Sequence, residues 1–373
     1  MSEDRPLRIV VTGGGTAGHI NPALATAQEL RERGCEVSFA GTPQGIESRL
    51  IPQEGFSFEA FEARGFNRSK PWTLVSSSLR IARSTRKAAR WLRTLRPAVV
   101  VGFGGYVSIP VGLAASRLGI PLVIHEQNAT PGLANRFLAK RARLLALTYD
   151  SAASGLVNAH TQERKLVRVG NPVRASLLAA DRAQARASYD IPADALVLLA
   201  FGGSLGAQHL NEALIAQAPR LLIDERLHVL HVTGSRDYEA MKAQLSGDLD
   251  ARRWHLIDYC DRMGDVYAAA DLVLSRAGAT TLAELAALGK PAILVPYPHA
   301  AADEQTNNAR DLVAAKAAYM IADVDLDSPV FVETVEKLLA DPGERERMRA
   351  ALLSSGGATA RQDLASLIMD LAK

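Results

Sequence analysis

The chain has 373 residues, of which 48% are hydrophobic and 22% charged, with a formal net charge of +3. That balance excludes large-scale disorder, and the length exceeds what one hydrophobic core usually organises, so two domains are expected. The two cysteines, Cys35 and Cys260, are far apart in sequence. This spacing excludes a disulfide framework and a zinc knuckle.

The first elements in chain order are an apolar strand and a glycine-rich loop. Residues 7–11 have the pattern of a buried strand. They are not preceded by the basic and long apolar segments of a secretory signal. The glycine loop spans residues 13–19, and Asn21 and Pro22 then predict the N-cap and first position of a helix that stops at Gly34.

Strand patterns recur along the rest of the chain, each followed by a polar or glycine-rich turn. They cover residues 36–40, 99–102, 122–124, 195–201, 228–232, 254–257, 271–275 and 292–295. The uncharged stretch 98–116 contains several glycines and a proline, so it divides into strand, loop and helix and not into a membrane span.

Strands that alternate with helices predict parallel sheets covered on both faces. The series restarts after Pro172, which predicts two similar α/β domains. We expect residues 1–172, completed by a C-terminal helix at 358–373, to form the first domain and residues 173–350 the second. Ligands of such sheets bind beyond the carboxyl ends of the strands, so the site is expected in a cleft between the domains.

The first glycine loop matches the dinucleotide fingerprint G-x-G-x-x-G at residues 13–18. That fingerprint also needs an acidic residue after the second strand, where this sequence has Ser38 to Gly41. A nicotinamide or flavin role is therefore disfavoured, and no cofactor is expected. The second loop, residues 202–207, offers backbone amides and the Ser204 hydroxyl to an anion, but it lacks the Lys-Ser/Thr ending of a P-loop.

A third candidate anion site lies at residues 275–281, between a strand and a helix. Its small residues would let a diphosphate approach the amides of Ala279, Thr280 and Thr281. Glu284 lies one helical turn further on, where a carboxylate can accept hydrogen bonds from both ribose hydroxyls. Alternatively, Glu284 is a solvated helix residue or part of a capping box, and the residues alone favour neither interpretation.

Seven motifs that appear in order resemble the MurG family, the N-acetylglucosaminyl transferases that convert lipid I to lipid II in bacterial peptidoglycan synthesis. They are Gly14-Gly15-Thr16-Ala17-Gly18-His19, Gly104-Gly105-Tyr106-Val107-Ser108-x-Pro110, His125-Glu126-Gln127-Asn128, Gly170-Asn171-Pro172-Val173-Arg174, Gly202-Gly203-Ser204-x-Gly206-Ala207, Ala277-Gly278-Ala279-x-Thr281-x-x-Glu284 and Asp303-x-Gln305-x-x-Asn308-Ala309. The resemblance covers nearly the whole chain. It implies a GT-B fold, in which two Rossmann-like domains with parallel sheets face across a cleft, with acceptor and membrane on the N-terminal domain and UDP-sugar on the C-terminal one.

The resemblance also implies roles for individual residues. By it, His19 and Asn128 lie near the reacting hydroxyl and the GlcNAc. The other positions are implied to contact the donor. Its phosphates and sugar are contacted by Thr16, Ala17 and Gly18, its diphosphate and nucleoside by Arg174 and Ser204, and its phosphates also by Ala279, Thr280 and Thr281. Its ribose is contacted by Glu284, its uracil by the loop at Cys260, and its sugar hydroxyls by Gln305. The chain departs from the family pattern at Ala17, where a second glycine is usual, and at Leu205 and Glu304, where glutamine occurs.

The reaction implied by the resemblance is an inverting transfer of GlcNAc from UDP-GlcNAc to the 4-hydroxyl of the muramyl sugar of lipid I. His19 is the preferred base because imidazole titrates near working pH. Glu126 is the alternative base, and a helix-capping or loop-fixing role is the alternative for His19. Because no Asp-x-Asp lies where a nucleotide-sugar metal site would, we expect no metal, with amides and Arg174 stabilising the leaving diphosphate.

Residues 66–97 contain nine basic and no acidic side chains, interleaved with apolar ones. A solvated helix and a nucleic-acid site are alternatives, but no aromatic stacking motif supports nucleic acid, which we do not expect as a partner. Binding to an anionic membrane surface fits best, and it predicts a peripheral protein on the cytoplasmic side of the cell membrane. The membrane-contacting residues are expected to be Arg68, Lys70, Trp72, Leu79, Arg80, Arg83, Arg86 and Arg90.

Two other functions share the predicted fold: another GT-B glycosyltransferase with a different acceptor, and a UDP-GlcNAc 2-epimerase. A nucleotide-sugar-binding scaffold among cell-wall assembly proteins is an alternative from a different class. The joint presence of His19, Asn128, Arg174 and Glu284 argues against an inactive scaffold, and an epimerase has little reason for a basic membrane face.

Overall fold

A computed structural model describes residues 6–63, 73–156, 166–203, 207–245 and 252–373, with the backbone alone for 73–78. The predicted membrane residues Arg68, Lys70 and Trp72 and the predicted donor residue Ser204 lie outside these ranges. The chain divides into two compact units. The first comprises Met1–Arg174 with Thr359–Lys373, and the second comprises Ala175–Ala358.

Each unit contains one sheet. The strands of the described ranges are β1 (Arg8–Thr12), β2 (Glu36–Gly41), β3 (Ser57–Ala60), β4 (Val99–Gly102), β5 (Leu122–Glu126), β6 (Leu144–Leu147), β7 (Leu166–Arg168), β8 (Leu196–Phe201), β9 (Leu227–Val232), β10 (Trp254–Ile257), β11 (Leu272–Ser275), β12 (Ala292–Leu294) and β13 (Ala318–Met320). The first sheet has the order β3-β2-β1-β4-β5-β6-β7 and the second β10-β9-β8-β11-β12-β13. All of these pairings are parallel, which confirms the predicted α/β fold.

Helices connect the strands and cover the sheets. They are α1 (Ala17–Glu32), α2 (Glu47–Gln53), α3 (Thr73–Leu95), α4 (Ser108–Arg117), α5 (Leu133–Ala139), α6 (Ala153–Leu156), α7 (Ala175–Leu178), α8 (Arg182–Ala187), α9 (Gln208–Ala216), α10 (Ala218–Leu221), α11 (Tyr238–Gln244), α12 (Met263–Ala269), α13 (Ala279–Leu288), α14 (Glu304–Ala314), α15 (Pro329–Ala340), α16 (Pro342–Ser354) and α17 (Ala360–Ala372). Short 3₁₀ turns occur at Asp150–Ala152, Ala301–Asp303 and Asp323–Asp327. Of the helices described, none is both long and apolar enough to span a bilayer.

The sheets are buried on both faces, which explains their continuous apolar strands. In the first unit, Leu24 of α1 and Leu364 of α17 pack on one face of the sheet. Leu92 of α3 and Val111 of α4 pack on the other face. The C-terminal helix is tied to α1 by a 2.8 Å hydrogen bond from Arg33 Nη1 to Ser366 Oγ. Helices on both faces leave the strand ends as the place for polar chemistry.

The predicted start of the first helix at Asn21 and Pro22 is wrong, because α1 begins at Ala17 and includes Pro22. Gly15 has a φ of +88°, so the chain turns directly from the loop into the helix. The Thr16 carbonyl accepts hydrogen bonds of 3.2 Å from the amides of both His19 and Ile20. His19 therefore lies in the first helical turn. The predicted stop is confirmed, since α1 ends before Gly34, whose φ is +85°.

Candidate functional site

In the first unit, the carboxyl ends of three neighbouring strands carry the predicted site residues. Strands β1, β4 and β5 are adjacent in the sheet and lead into the first glycine loop, the Gly104-Gly105 turn and the segment after Glu126. The first two segments touch through their backbones, because a Cβ on Gly105 would lie 2.3 Å from the Gly14 carbonyl oxygen. Only glycine allows this approach, and Gly105 also has a φ of +77°.

The hydrogen bonds of His19 define its tautomer. Nδ1 lies 3.0 Å from the Gly14 carbonyl oxygen and 3.1 Å from Thr16 Oγ1. Because a carbonyl can only accept, Nδ1 carries the proton and Nε2 carries the lone pair. Burial lowers the pKa of His19 below its ordinary value of 6.5, so the ring is neutral near pH 7. This is the form that a general base needs.

Two further features place the His19 ring. A Cβ on Gly104 would lie 2.9 Å from both Nε2 and Cδ2 of His19, so the glycine leaves room for the imidazole. Ala17 and Gly18 precede His19 in the first turn of α1, and Thr16 is the N-cap residue. The structure therefore brings Thr16, Ala17, Gly18 and His19 together at one sheet edge.

Glu126, the alternative base, is buried and hydrogen-bonded through both carboxylate oxygens. Oε1 accepts from the Asn128 amide at 3.0 Å. Oε2 accepts from the Gly132 amide at 3.1 Å and from Asn135 Nδ2 at 2.8 Å. Burial raises the pKa of Glu126 more than these bonds lower it. The arrangement holds the loop that carries Asn128.

His125, next to Glu126, has a structural position. Its Nε2 donates to the Gly170 carbonyl at 2.9 Å, and its Nδ1 accepts from Gln127 Nε2 at 3.0 Å. Burial lowers the pKa of His125 to about 4, so it stays neutral at physiological pH. The bond to Gly170 joins the motif that begins in β5 to the motif after β7.

In the second unit, β8, β11 and β12 are neighbours. Five of the predicted donor residues follow the carboxyl ends of β11 and β12: Ala279, Thr280, Thr281, Glu284 and Gln305. Helix α13 begins at Ala279, with Gly278 as an extended N-cap residue that makes no side-chain cap. The first-turn amides of Ala279, Thr280 and Thr281 and the helix dipole favour an anion here. Glu284 is half-buried one turn further along, with its Oε2 2.9 Å from the Tyr267 hydroxyl.

The side chain of Gln305 joins two loops of this edge. Its Oε1 accepts from the Ala277 amide at 3.1 Å and from the Tyr297 amide at 2.8 Å. Ala277 follows β11 and Tyr297 follows β12. Since the oxygen accepts both bonds, the orientation of the side chain is fixed, and Nε2 is the end that can donate to a ligand.

Cys260 and Arg174 follow other strands, Cys260 after β10 and Arg174 after β7. Cys260 is half-buried before α12, and burial raises the pKa of its thiol, which disfavours a nucleophilic thiolate. Arg174 belongs to the first unit, and its Nη1 lies 3.6 Å from Glu54 Oε1. The predicted contacts of both residues with the donor stay predictions.

The basic helix α3 exposes one stripe and buries another. Leu79, Arg83, Arg86 and Arg90 are exposed, whereas Arg80 is half-buried. Ser84, Ala88 and Leu92 are buried against the unit. Lys87 pairs with Glu59 at 2.6 Å, but within the described ranges no carboxylate pairs with the guanidinium groups of the exposed stripe. The stripe is therefore an uncompensated positive surface.

Sequence reasoning missed Glu47 and Tyr267. Glu47 is fully buried at the start of α2, and its carboxylate reaches the amide of Gly15. Tyr267 is fully buried on α12. Neither residue belongs to a motif, and a carboxylate or an aromatic in a helical pattern is ordinarily a surface or a core residue. The glycines Gly41 and Gly45 around Glu47 are the one signal in the sequence.

Comparisons with known proteins agree over nearly the whole chain. The glycosyltransferase family 28 N-terminal domain matches residues 9–146, and the C-terminal domain of that family matches residues 197–367. A UDP-N-acetylglucosamine–N-acetylmuramyl-(pentapeptide) pyrophosphoryl-undecaprenol N-acetylglucosamine transferase of Halothermothrix orenii is 41% identical over 98% of this chain and 100% of its own length.

Solved structures are similar to this chain as well, among them two that cover nearly its whole length. The crystal structure of Acinetobacter baumannii MurG has a TM-score of 0.75 and 31% identity, covering 98% of this chain and 100% of that one. A UDP-GlcNAc 2-epimerase from Neisseria meningitidis, bound to UDP-GlcNAc, has a TM-score of 0.68 at 14% identity, covering 98% of this chain and 100% of that one. At that identity the epimerase shares the fold alone.

Proposed function

We propose a function for this chain on the basis of its family, since it belongs to glycosyltransferase family 28 and, within it, to the MurG transferases. The chain transfers GlcNAc from UDP-GlcNAc to the 4-hydroxyl of the MurNAc of undecaprenyl-pyrophosphoryl-MurNAc-pentapeptide, lipid I, and produces lipid II for peptidoglycan synthesis. The observation that carries this proposal is the 41% identity over 98% of the chain with a transferase of that printed name.

The chemistry is a single displacement with inversion at the anomeric carbon. The acceptor oxygen forms a bond to that carbon on the face opposite the diphosphate, while the bond to the UDP oxygen breaks. His19 Nε2 takes the hydroxyl proton, because Nδ1 is committed to the Gly14 carbonyl. A positioned base of this kind contributes roughly 10²–10⁴-fold in rate.

The departing UDP gains negative charge, which fixed donors must stabilise. The amides of Ala279, Thr280 and Thr281 at the start of α13 suit this task because the helix dipole adds to their hydrogen bonds. The Arg174 guanidinium is the proposed second source of positive charge. Removing one such donor typically costs roughly 10²–10³-fold in rate.

The remaining site residues recognise the two substrates. Glu284 accepts from the ribose hydroxyls, the backbone at Cys260 contacts uracil, Ser204 contacts the diphosphate and nucleoside, and the Gln305 amide donates to the sugar hydroxyls. Asn128 contacts the GlcNAc from a loop that Glu126 holds through the Asn128 amide. With three donors already on its carboxylate, Glu126 is better suited to this positioning than to proton transfer.

The lipid-linked acceptor requires the enzyme to work at a membrane surface. The exposed stripe of α3 supports peripheral binding to anionic lipid on the cytoplasmic side, since each basic residue near such a surface contributes about 1 kcal/mol. Arg68, Lys70 and Trp72 are also proposed to contact the membrane. The product links the enzyme to cell-wall assembly proteins, cell shape and cell division.

The decisive experiment is transfer of labelled GlcNAc from UDP-GlcNAc to a lipid I analogue, with UDP-glucose and UDP-GalNAc as control donors. We expect acceptor-dependent labelling with UDP-GlcNAc and little with either control. Conversion of UDP-GlcNAc to its 2-epimer without acceptor would favour the epimerase instead. Labelling of another lipid or glycan in preference to lipid I would overturn the proposed acceptor.

A further inference from the structure

The carboxylate of Glu47 is buried against the first glycine loop. Glu47 begins α2, and its side chain is fully shielded from solvent. Oε1 accepts from the Thr42 amide at 3.0 Å and from the Thr42 hydroxyl at 2.6 Å, while Oε2 accepts from the Gly15 amide at 3.3 Å. The carboxylate therefore ties the loop after β2 to the loop after β1.

Three glycines make room for this carboxylate. A Cβ on Gly14 would lie 2.4 Å from Glu47 Oε1, a Cβ on Gly45 would lie 2.1 Å from Oε2, and a Cβ on Gly41 would lie 2.6 Å from Cγ. Such distances are far below van der Waals contact. The chain thus provides a cradle of glycines from both loops, and what fills it is one acidic side chain.

The contact with Gly15 has a consequence for His19. The Gly15 amide and the Gly14 carbonyl belong to the same peptide unit, which is planar. Glu47 accepts from the N–H side of that unit, and the carbonyl side accepts from His19 Nδ1 at 3.0 Å. Glu47 and His19 are therefore connected through one peptide plane, whose orientation decides whether the imidazole keeps its proton on Nδ1.

We propose that Glu47 is a positioning residue for glycosyl transfer, which orients the Gly14–Gly15 peptide and through it holds His19 with Nε2 free to accept the hydroxyl proton. The proposal rests on the function proposed above for His19. Positioning through an intervening group is the arrangement by which a second side chain orients a catalytic base.

The pKa of His19 distinguishes a role for the negative charge of Glu47 from a role in packing alone. Burial lowers the pKa of His19, and the charge of Glu47 raises it again in part. Among the described residues, Glu47 is the charged group that acts on this imidazole, while Gly104 and Asn135 on the facing loop and helix are neutral. Removing the charge must therefore lower the pKa of His19 further.

The test is steady-state kinetics of Glu47→Gln with UDP-GlcNAc and a lipid I analogue. Glutamine keeps the shape, but its NH₂ group cannot accept from either loop. We expect kcat to fall roughly tenfold or more, a part of the contribution of a positioned base, with the KM for UDP-GlcNAc within about twofold of wild type. When kcat/KM is measured against pH, the rise on the acid side of the profile (the acid limb) should move to lower pH.

Two further variants complete the test, one for the case that Glu47→Gln does not fold and one as a control. Gly45→Ala displaces the same carboxylate without touching the first glycine loop, so it should lower kcat in the same way if Glu47→Gln does not fold. Glu29→Gln is the matched control, since Glu29 is also a buried carboxylate of the first unit but pairs with Arg33 and Arg361. It should leave kcat and the acid limb unchanged. Thermal unfolding of each variant reports whether it is folded.

Two results would overturn the positioning role: wild-type kcat in Glu47→Gln, or a fall in kcat with an unmoved acid limb, which indicates packing alone. The role of His19 is tested separately by His19→Asn. If His19→Asn retains normal turnover, the base assignment itself fails. If His19→Asn is inactive and Glu47→Gln is unchanged, only the role of Glu47 fails. In the His19→Asn background, Glu47→Gln should lower kcat no further.

Discussion

The hydroxyl of Tyr267 donates a 2.9 Å hydrogen bond to Oε2 of Glu284. Tyr267 is fully buried on α12, and its ring packs edge-on against Phe201, with 5.7 Å between the ring centroids. Phe201 immediately precedes the second glycine loop, and α12 immediately follows the loop at Cys260. One side chain thus connects the proposed ribose carboxylate to two other segments of the proposed donor site.

Replacing Tyr267 by phenylalanine should weaken recognition of the ribose. The carboxylate loses a donor that orients it, and hydrogen bonds to charged groups contribute about 1.5–3 kcal/mol. We expect the KM for UDP-GlcNAc to rise roughly tenfold, the equivalent of about 1.4 kcal/mol, with kcat little changed. Preference for UDP-GlcNAc over its 2′-deoxyribose analogue should also fall, measured as the ratio of the two kcat/KM values.

Tyr319→Phe is the matched control for this prediction. Tyr319 donates to Oε1 of Glu344 at 3.1 Å in the same unit, but neither residue belongs to the proposed site. The control should keep the ribose preference of the wild type. If Tyr267→Phe lowers kcat/KM equally for both donors, Tyr267 supports packing and does not orient Glu284.

The pKa of His19 sets the pH dependence of transfer. A base must be neutral to accept a proton, and burial places the pKa of His19 below 6.5. The rate should therefore rise with pH through a midpoint below 6.5 and remain level above it. His19→Asn should lower kcat by roughly 10²-fold or more and abolish the acid limb.

The half-buried residue His255 provides the control for His19. It lies on β10 in the second unit, outside the proposed site, so His255→Asn should keep the acid limb of the wild type. An acid limb that survives in His19→Asn would assign the proton transfer to another group.

Two strands have the predicted bounds. Val99–Gly102 is buried at every residue, and Trp254–Ile257 is an edge strand that is mostly half-buried but whose sequence is nearly all apolar. The strands missed were β3, β6, β7 and β13. Strands β3, β7 and β13 lie at sheet edges and are only partly buried, so they lack a continuous apolar run. The sequence of β6, Leu-Leu-Ala-Leu, has no β-branched residue and is equally typical of a helix.

The candidate site residues differ in how far the sequence alone could point to them. His19, Asn128 and Gln305 could be proposed because they stand in motifs that resemble those of a known family. The contact between Glu47 and Gly15 spans 32 residues of sequence and arises because β1 and β2 pair in parallel, which brings the loops after them together. No local pattern contains that information, since it is the sheet order that creates the contact.

The exposed basic stripe of α3 predicts electrostatic membrane binding. Replacing Arg83 and Arg90 by glutamine removes two positive charges from that surface. At about 1 kcal/mol each, the loss corresponds to roughly thirtyfold weaker binding to vesicles that contain anionic lipid. Sedimentation with anionic and with neutral vesicles measures it, and the effect should shrink at high salt.

The matched control for the stripe removes the same charge elsewhere. Arg310 and Lys316 are exposed residues of the second unit, and Arg310→Gln with Lys316→Gln should leave sedimentation unchanged. If both double variants lose binding equally, net charge and not the α3 stripe drives the association. Equal binding of the wild type to neutral and anionic vesicles would also contradict the prediction.

The ion pair between His209 and Asp323 predicts that the stability of the protein depends on pH. His209 Nδ1 lies 2.7 Å from Asp323 Oδ2, and Nε2 lies 3.2 Å from Asp327 Oδ2. The hydrogen bond to Asp323 is the main cause that raises the pKa of His209 above 6.5. A raised pKa means that the pair stabilises fully below 6.5 and that the contribution is lost as pH rises through the folded-state pKa.

His209→Asn should therefore lower the unfolding temperature more at about pH 6 than at about pH 9. Because the side chain of His209 is one-third exposed, at 35%, the difference should be modest. The measurement is thermal unfolding across pH for both proteins. A destabilisation that is constant with pH would show that His209 contributes by packing and not by its charge.

Structural and ligand-binding roles can be separated at Gln305. Its side-chain oxygen accepts hydrogen bonds from the protein backbone, whereas its side-chain nitrogen is proposed to donate to the sugar. Gln305→Glu keeps an oxygen for the amides of Ala277 and Tyr297 but removes the donor. We expect a folded protein whose kcat/KM for UDP-GlcNAc falls roughly tenfold or more, the cost of an unpaired buried polar group. The ratio of kcat/KM for UDP-GalNAc to that for UDP-GlcNAc should rise, since a donor to the sugar hydroxyls is gone.

Gln244→Glu adds the same charge at an exposed position on α11 of the same unit, and it should change neither the rate nor the donor ratio. A fall in kcat/KM that is equal for the two donors would mean that the new charge repels the diphosphate, and that Gln305 does not read the sugar. An unchanged kcat/KM would remove Gln305 from the site, because its two amide bonds would then be its whole role.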